Sequence, residues 1–147
     1  MIEIKTLEQA EDLKHSRRVL KYVLLFCTSG EITLSVDENE YLITKNSVLT
    51  ITSGQIHFIK NSNNATGFVL EFTYDYFCKN DNDIELIFHN GLFCHFAMNE
   101  VIPVDNSETV LQELQLIEKE LIETPYQYLI STHSRIELIL IEINRSK

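Results

Sequence analysis

The chain has 147 residues, 44% hydrophobic and 23% charged, an average globular composition that argues against disorder and suits one real core. A formal net charge of -10, from 12 Lys and Arg against 22 Asp and Glu, excludes a domain that grips polyanionic nucleic acid by itself. No apolar run approaches the roughly 20 residues of a membrane span. Met1-Ile2-Glu3-Ile4-Lys5 lacks the pattern of a secretory signal, so a cytoplasmic location and no membrane partner are expected.

Ile2 and Ile4 alternate and mark a first strand. Val19 to Cys27 is a nearly continuous apolar run ending at Thr28-Ser29-Gly30, the pattern of a strand buried on both faces followed by a turn. Ile32, Leu34 and Val36 alternate with Thr33 and Ser35, and Asp37-Glu38-Asn39-Glu40 is a hairpin in which Asn can take positive φ. Strands are further expected around Tyr41 to Ile43, Val48 to Thr52, Gln55 to Lys60 and Phe68 to Thr73. Turn signals about every 8 to 12 residues fit a sandwich or barrel better than βαβ units. Asp81 to His89 reads as a short helix capped at Asn90-Gly91, with closing strands at Leu92 to Met98 and Val101 to Val104.

After Pro103 the period changes. Asp105 with Glu108 makes one capping box, and Thr124-Pro125-Tyr126-Gln127 makes another with Pro in the first helical position. Val110, Leu114, Ile117 and Leu121 share a stripe on the first helix, as do Leu129, Ile136, Ile139, Leu140 and Ile143 on the second. The short connection predicts antiparallel neighbours. Leu138 and Ile141 lie off the second stripe, and with Leu116 of the first helix they are the expected interface of a homodimer, the commonest closed way to cover such a face.

Chemistry-bearing patterns are sparse. Cys27, Cys78 and Cys94 form no C-x-x-C pair and read as reduced, packed thiols. His15, His57, His89, His95 and His133 form no metal-binding spacing, and Cys94-His95 would point to opposite faces of a strand. No nucleophile elbow, phosphate loop or dinucleotide fingerprint is present. No metal, cofactor or catalytic residue is therefore expected. Glu71 sits inside an apolar strand, where alternation predicts a solvent-facing side chain.

Gly54-x-x-His57-x-x-x-Asn61 resembles the second motif of the cupin barrel, with Thr52 where that motif usually has Pro. The stretch matching the first motif, Gly30 to Asp37, contains no histidine, so the metal chemistry of that family is not implied. Over nearly its full length the chain resembles the N-terminal half of an AraC-type transcription regulator. The resemblance rests on Phe26-Cys27-Thr28-Ser29-Gly30, on Leu49 to His57, on Gly67 to Phe72, and on the helical pair up to Arg145.

That resemblance implies one domain, residues 1–147, with a cupin-like antiparallel β-barrel (double-stranded β-helix or jelly roll) over 1–104 and a dimerising helical hairpin over 105–145. It also implies a small-molecule effector, a sugar being one candidate class, and DNA contact only through helix-turn-helix units that this chain does not contain. His57 is the first choice for a pocket hydrogen-bonding group, with Tyr22, Glu71 and His95 as further ligand-binding candidates. If His57 points inward, Gln55 and Ile59 follow it, and Ile56 and Phe58 turn outward to be covered by the helical pair. Ile2 to Leu7 is either a mobile arm or an edge strand. The alternatives are a metal-free cupin-fold sugar isomerase or epimerase using His57 with Glu71, a stand-alone binding protein, and a dimerisation module with a solid core.

Overall fold

The computed structural model describes residues 1–89, 92, 93 and 99–147. Its strands are β1 (Ile2–Thr6), β2 (Arg17–Arg18), β3 (Tyr22–Ser29), β4 (Ile32–Val36), β5 (Asn39–Ile43), β6 (Ser47–Ile51), β7 (Ile56–Asn61), β8 (Thr66–Phe72) and β9 (Val101–Pro103). They build two antiparallel sheets, a five-stranded one in the order β1-β8-β3-β6-β9 and a four-stranded one in the order β2-β7-β4-β5. Short helices α1 (Tyr74–Phe77) and α2 (Asp81–Ile84) follow β8, and the long helices α3 (Ser107–Glu123) and α4 (Tyr128–Ser146) close the chain. This is the mainly antiparallel β fold with C-terminal helices that the sequence predicts.

Alternation assigns the side chains to two cores. From β3, Val23, Leu25 and Cys27 point into the space between the sheets, where they meet Ile32, Leu34 and Val36 of β4 and Ile59 of β7. The intervening Tyr22, Leu24 and Phe26 point the other way, toward α3 and α4. Both faces of β3 are covered, which is why its sequence is apolar without a break. The helices therefore lie on the five-stranded sheet. Leu7, Ala10 and Leu13, from two 3₁₀ turns at Leu7–Gln9 and Glu11–Lys14 that no periodicity announces, also enter the inter-sheet core.

Several local expectations are corrected. In the β4–β5 hairpin the residues at positive φ are Asp37 (48°) and Glu38 (70°), while Asn39 already pairs with Val36. The pairing leaves a two-residue loop, and such loops take the primed turns that need positive φ at both positions. Asp81 to His89 is helical but changes pitch, continuing from α2 as a π-helical turn at Glu85–His89. The expected cap at Asn90-Gly91 and most of the strand at Leu92 to Met98 lie outside the described residues. Asn106 rather than Asp105 caps α3, without a side-chain bond. Thr124-Pro125 does not open α4: Thr124 is the left-handed C-cap of α3 (φ 45°), and α4 starts at Tyr128 behind Gln127 (φ 58°).

As predicted, α3 and α4 run antiparallel. Arg135 of α4 bonds Glu113 (3.0 Å) and Glu120 (2.9 Å) of α3, and Ser131 Oγ donates to Glu120 at 2.7 Å. Val110, Leu114 and Ile117 of α3 and Ile136, Ile139, Leu140 and Ile143 of α4 are buried as expected, but Leu129 is half exposed. Thr132 takes the inward place instead, bonding the hydroxyl of Tyr76 at 2.5 Å. The N-terminal Ile2 to Leu7 gives an edge strand, with β1 paired to β8 from Ile2–Phe72 to Thr6–Phe68.

One backbone approach admits only glycine. A Cβ on Gly67 would stand 2.2 Å from the carbonyl oxygen of Phe26 on the paired strand. Gly67→Ala must push β8 from β3 at the centre of the larger sheet. The expected cost is about 2–3 kcal/mol, the scale of overpacking a tight core, read as a lower urea midpoint.

Candidate functional site

The inter-sheet core is apolar except at one end. There β7 turns His57 inward and β8 turns Glu71 inward, each only 1% exposed. Arg17 of β2 stands opposite His57 in the strand register and joins them. Its Nε donates to His57 Nε2 at 3.0 Å, one terminal nitrogen donates to Glu71 Oε2, and the other to Asp12 Oδ2 at 3.0 Å. The Nδ1–H of His57 donates to the Gln55 carbonyl at 3.1 Å, which fixes the tautomer and leaves the Nε2 lone pair for the arginine. Gln55 is held in turn by Thr52, Asn99 and Asp37, so the start of β7 is pinned.

Glu71 is left with one spare acceptor. Among the described residues its Oε1 is buried without a hydrogen-bond partner, and Lys21 Nζ lies 3.7 Å away. The Arg17 charge is already matched by Glu71 and Asp12. What the cluster lacks is a hydrogen-bond donor rather than an anion.

The structure thus brings His57 and Glu71 together and corrects the expectation that Glu71 faces solvent. β8 lies between β1 and β3, so its inward face looks into the core, and the ionised side chain is tolerated there because Arg17 reaches across from the other sheet. Tyr22 does not join them. It faces the helices, with its ring 5.2 Å from Phe93 and 5.9 Å from Phe72, and burial pushes its phenol up. His95 lies outside the described residues. Arg17 was missed because its segment has no periodicity and its partners are 40 and 54 positions away.

Burial holds the His57 imidazole below its ordinary value, and the Arg17 charge adds to this against the opposing Gln55 carbonyl. The unfolded chain binds that proton more readily, so the contribution of His57 to stability is complete at neutral pH and is lost as pH falls through the unfolded value of about 6.5. Between pH 7.5 and 5.5 the urea midpoint of the wild type should fall more than that of His57→Gln. Equal slopes would show that the imidazole is not buried neutral.

A family model described as the AraC-like ligand binding domain matches residues 10–138. The chain belongs to that family. Among solved structures it is similar to the AraC-like transcriptional activator CuxR, with TM-score 0.53 and 9% identity over 86% of this chain and 47% of that one. It is also similar to ToxT from Vibrio cholerae, with TM-score 0.51 and 9% identity over 99% of this chain and 56% of that one. A further ToxT structure, from Vibrio cholerae O395 bound to (E)-4-(8-methylnaphthalen-1-yl)but-3-enoic acid, matches with TM-score 0.51 and 10% identity over 98% of this chain and 57% of that one. At these identities the structural likeness shows a shared fold alone, and the chain spans about half the length of these regulators. Among curated proteins no relative matches it.

Several surface clefts of this AraC-like domain are lined by none of Arg17, His57 and Glu71. One of about 700 Å³ is walled by Lys14, Thr28, Asn64 and Thr66 at one end of the sheets and by Leu111 and Gln115 of α3. Another, on the outer face of the smaller sheet, is lined by Ser35, Asp37, Ile56 and Phe58. Ile56 and Phe58 do turn outward, as alternation requires, but the helical pair does not cover them because it packs on the other sheet; Ile56 stays 50% exposed.

Of the residues expected at a dimer interface, Leu138 is 51% exposed, and Ile141 and Leu116 are half-buried. Leu138 and Ile141 border a cleft of about 510 Å³ against Leu86 of the π-helical turn. Ile130, Ser134, Leu138 and Ile141 fall on one face of α4 by helical spacing, opposite its buried stripe. Among the described residues no helix is long and apolar enough to cross a membrane.

Proposed function

We propose that this domain senses a small-molecule effector for an AraC-type transcription regulator and relays the bound state to DNA-binding units outside this chain. The observation that carries the reading is the family match over residues 10–138, and the buried Arg17–His57–Glu71 cluster gives it a site. A few convergent polar groups in an otherwise apolar interior are the usual make-up of a small-molecule pocket. The net charge of -10 fits a protein whose DNA contacts are made by another part, in the cytoplasm. The unit works as a dimer through Leu138, Ile141 and Leu116.

The effector class follows from what the cluster lacks. A hydroxyl can donate to Glu71 Oε1 and accept from Arg17, whereas a carboxylate would compete with Glu71 for a guanidinium already neutralised. The reading therefore favours a neutral polyol such as a sugar over an apolar acid of the kind seen in ToxT. Leu7, Ala10 and Leu13 fill the core beside the cluster, so entry requires the segment before β2 to move, and that motion is the relay. Both ring nitrogens of His57 and one Glu71 oxygen are already engaged, which supports a binding role over acid–base catalysis.

Thermal melts against neutral pentoses, hexoses and inositol, with medium-chain fatty acids as the contrasting arm, test this. A polyol should raise the melting temperature of the wild type and not that of Glu71→Gln. Stabilisation by fatty acids alone would contradict it. The filled inter-sheet core supports a second reading, a dimerisation module that binds no effector, under which neither arm shifts the melt.

A further inference from the structure

The Arg17–His57–Glu71 cluster lies under a side of the molecule that strand pairing does not close. β1 is the outer strand of the larger sheet and β2 that of the smaller one, and among the described residues no ladder connects them. Open edges of this kind need some other cover. Here ion pairs supply it, in a closed ring of alternating charge. Lys5 of β1 pairs with Asp12 at 3.0 Å, Asp12 pairs with Arg17 of β2 at 3.0 Å, and Arg17 pairs with Glu71 of β8. Lys21, between β2 and β3, lies 3.7 Å from Glu71 and 3.8 Å from Glu3, and Glu3 returns to Lys5 at 3.2 Å. We propose that this seam between β1 and β2 is the gate of the buried cluster, held shut by the ion ring.

The ring is graded from water to core. Asp12 and Glu3 keep 46% and 39% of their side chains exposed, whereas Glu71 keeps 1%. Pairs with exposed members are screened by salt and hold weakly, so the outer links part first. Lys21 is the loosest link, because neither of its carboxylates is within hydrogen-bond reach. Asp12, half in water, bonds Arg17 directly, and Arg17 in turn covers His57 Nε2 and Glu71 Oε2. The surface clefts are lined by none of these last three, which leaves the seam as the way in.

The gate rests on the reading of the cluster as the effector site, and the two are coupled at one atom. Glu71 Oε1, the buried acceptor without a hydrogen bond, is the oxygen that Lys21 faces. A ligand hydroxyl that donates to Oε1 displaces the ammonium and cuts the ring at its loosest link. Leu7, Ala10 and Leu13, on the chain that runs from β1 to β2 across the seam, then follow.

Solvent exchange of the Arg17 Nε–H, followed by NMR at constant pH with no effector present, tests the gate apart from the effector reading. With the seam shut this hydrogen is bonded to His57, so its exchange reports how often the seam opens. Asp12→Asn removes the charge from two links and should speed the exchange about tenfold. In the wild type 1 M NaCl should also speed it, while the amide of Leu25, in the middle of β3, exchanges as before. Should Asp12→Asn fail to fold, the salt dependence of the wild type decides alone. Unchanged Nε–H exchange would overturn the gate. So would a Leu25 amide that accelerates in step, because the opening would then be global unfolding.

Discussion

Arg17→Ala should cost about 3–5 kcal/mol of folding free energy, a large part of the stability of a domain this size. The side chain is 13% exposed and holds Glu71, His57 and Asp12 at once. Truncation leaves the Glu71 carboxylate buried with only Lys21 near it, at 3.7 Å, and strips His57 Nε2 of its donor. Stranding a buried charge costs far more than the pair contributes, because the desolvation of the survivor is no longer offset. Arg17→Met with Glu71→Leu should therefore recover more than half of the loss, since neither charge then remains. Urea unfolding of the three proteins decides this. A loss below about 1 kcal/mol for Arg17→Ala would mean that water reaches Glu71 and that the cluster is not an interior lock.

Leu138→Glu with Ile141→Glu should convert a dimer into a folded monomer. Leu138 is 51% exposed and Ile141 is half-buried, so completing their burial contributes at most about 1 kcal/mol apiece. Four such side chains per two-fold dimer give about 4 kcal/mol, close to a thousandfold in dissociation constant before any repulsion between the new carboxylates. The exposed face of α4 puts neither residue in the helix–sheet core, so the far-UV spectrum should hold. Light scattering at micromolar concentration reads the change. A monomeric wild type, or a variant that stays dimeric, would remove α4 from the interface.

Much of the architecture was legible because its signals are local. The unbroken apolar run of β3 announces two covered faces, and the change to helical spacing after Pro103 announces α3 and α4. Once His57 is inward, alternation carries Gln55 and Ile59 in with it and turns Ile56 and Phe58 outward, as the burial of the four shows. It failed at Glu71 because alternation says which residues share a face, and not which face is buried, on a central strand covered on both sides. Tyr22 shares β3 with inward-facing neighbours but occupies the other alternation class, which separates it from His57.

The site itself was only half legible. Arg17 lies in a stretch without periodicity, and nothing local marks it as the partner of Glu71 on another sheet. Glu3 and Lys5 share a face of β1 by alternation and could have been paired on sequence, but Asp12 and Lys21 join them only where the edges of the two sheets meet. Turn identities were the weakest expectations. Strand pairing, not residue preference, put Asp37 and Glu38 at positive φ, and the ends of α3 and α4 put Thr124 and Gln127 there.

The central claim is that an effector is held by Arg17, His57 and Glu71 between the sheets. Its most direct test is a ¹H–¹⁵N correlation spectrum of the chain titrated with the neutral polyols, in which the Arg17 Nε–H reports on its bond to His57. A binding polyol should shift this side-chain resonance together with the amides of Arg17, His57 and Glu71. Shifts confined to Asn63–Gly67 and Gln115, around the cleft beside α3, or no shift from any polyol, would contradict it.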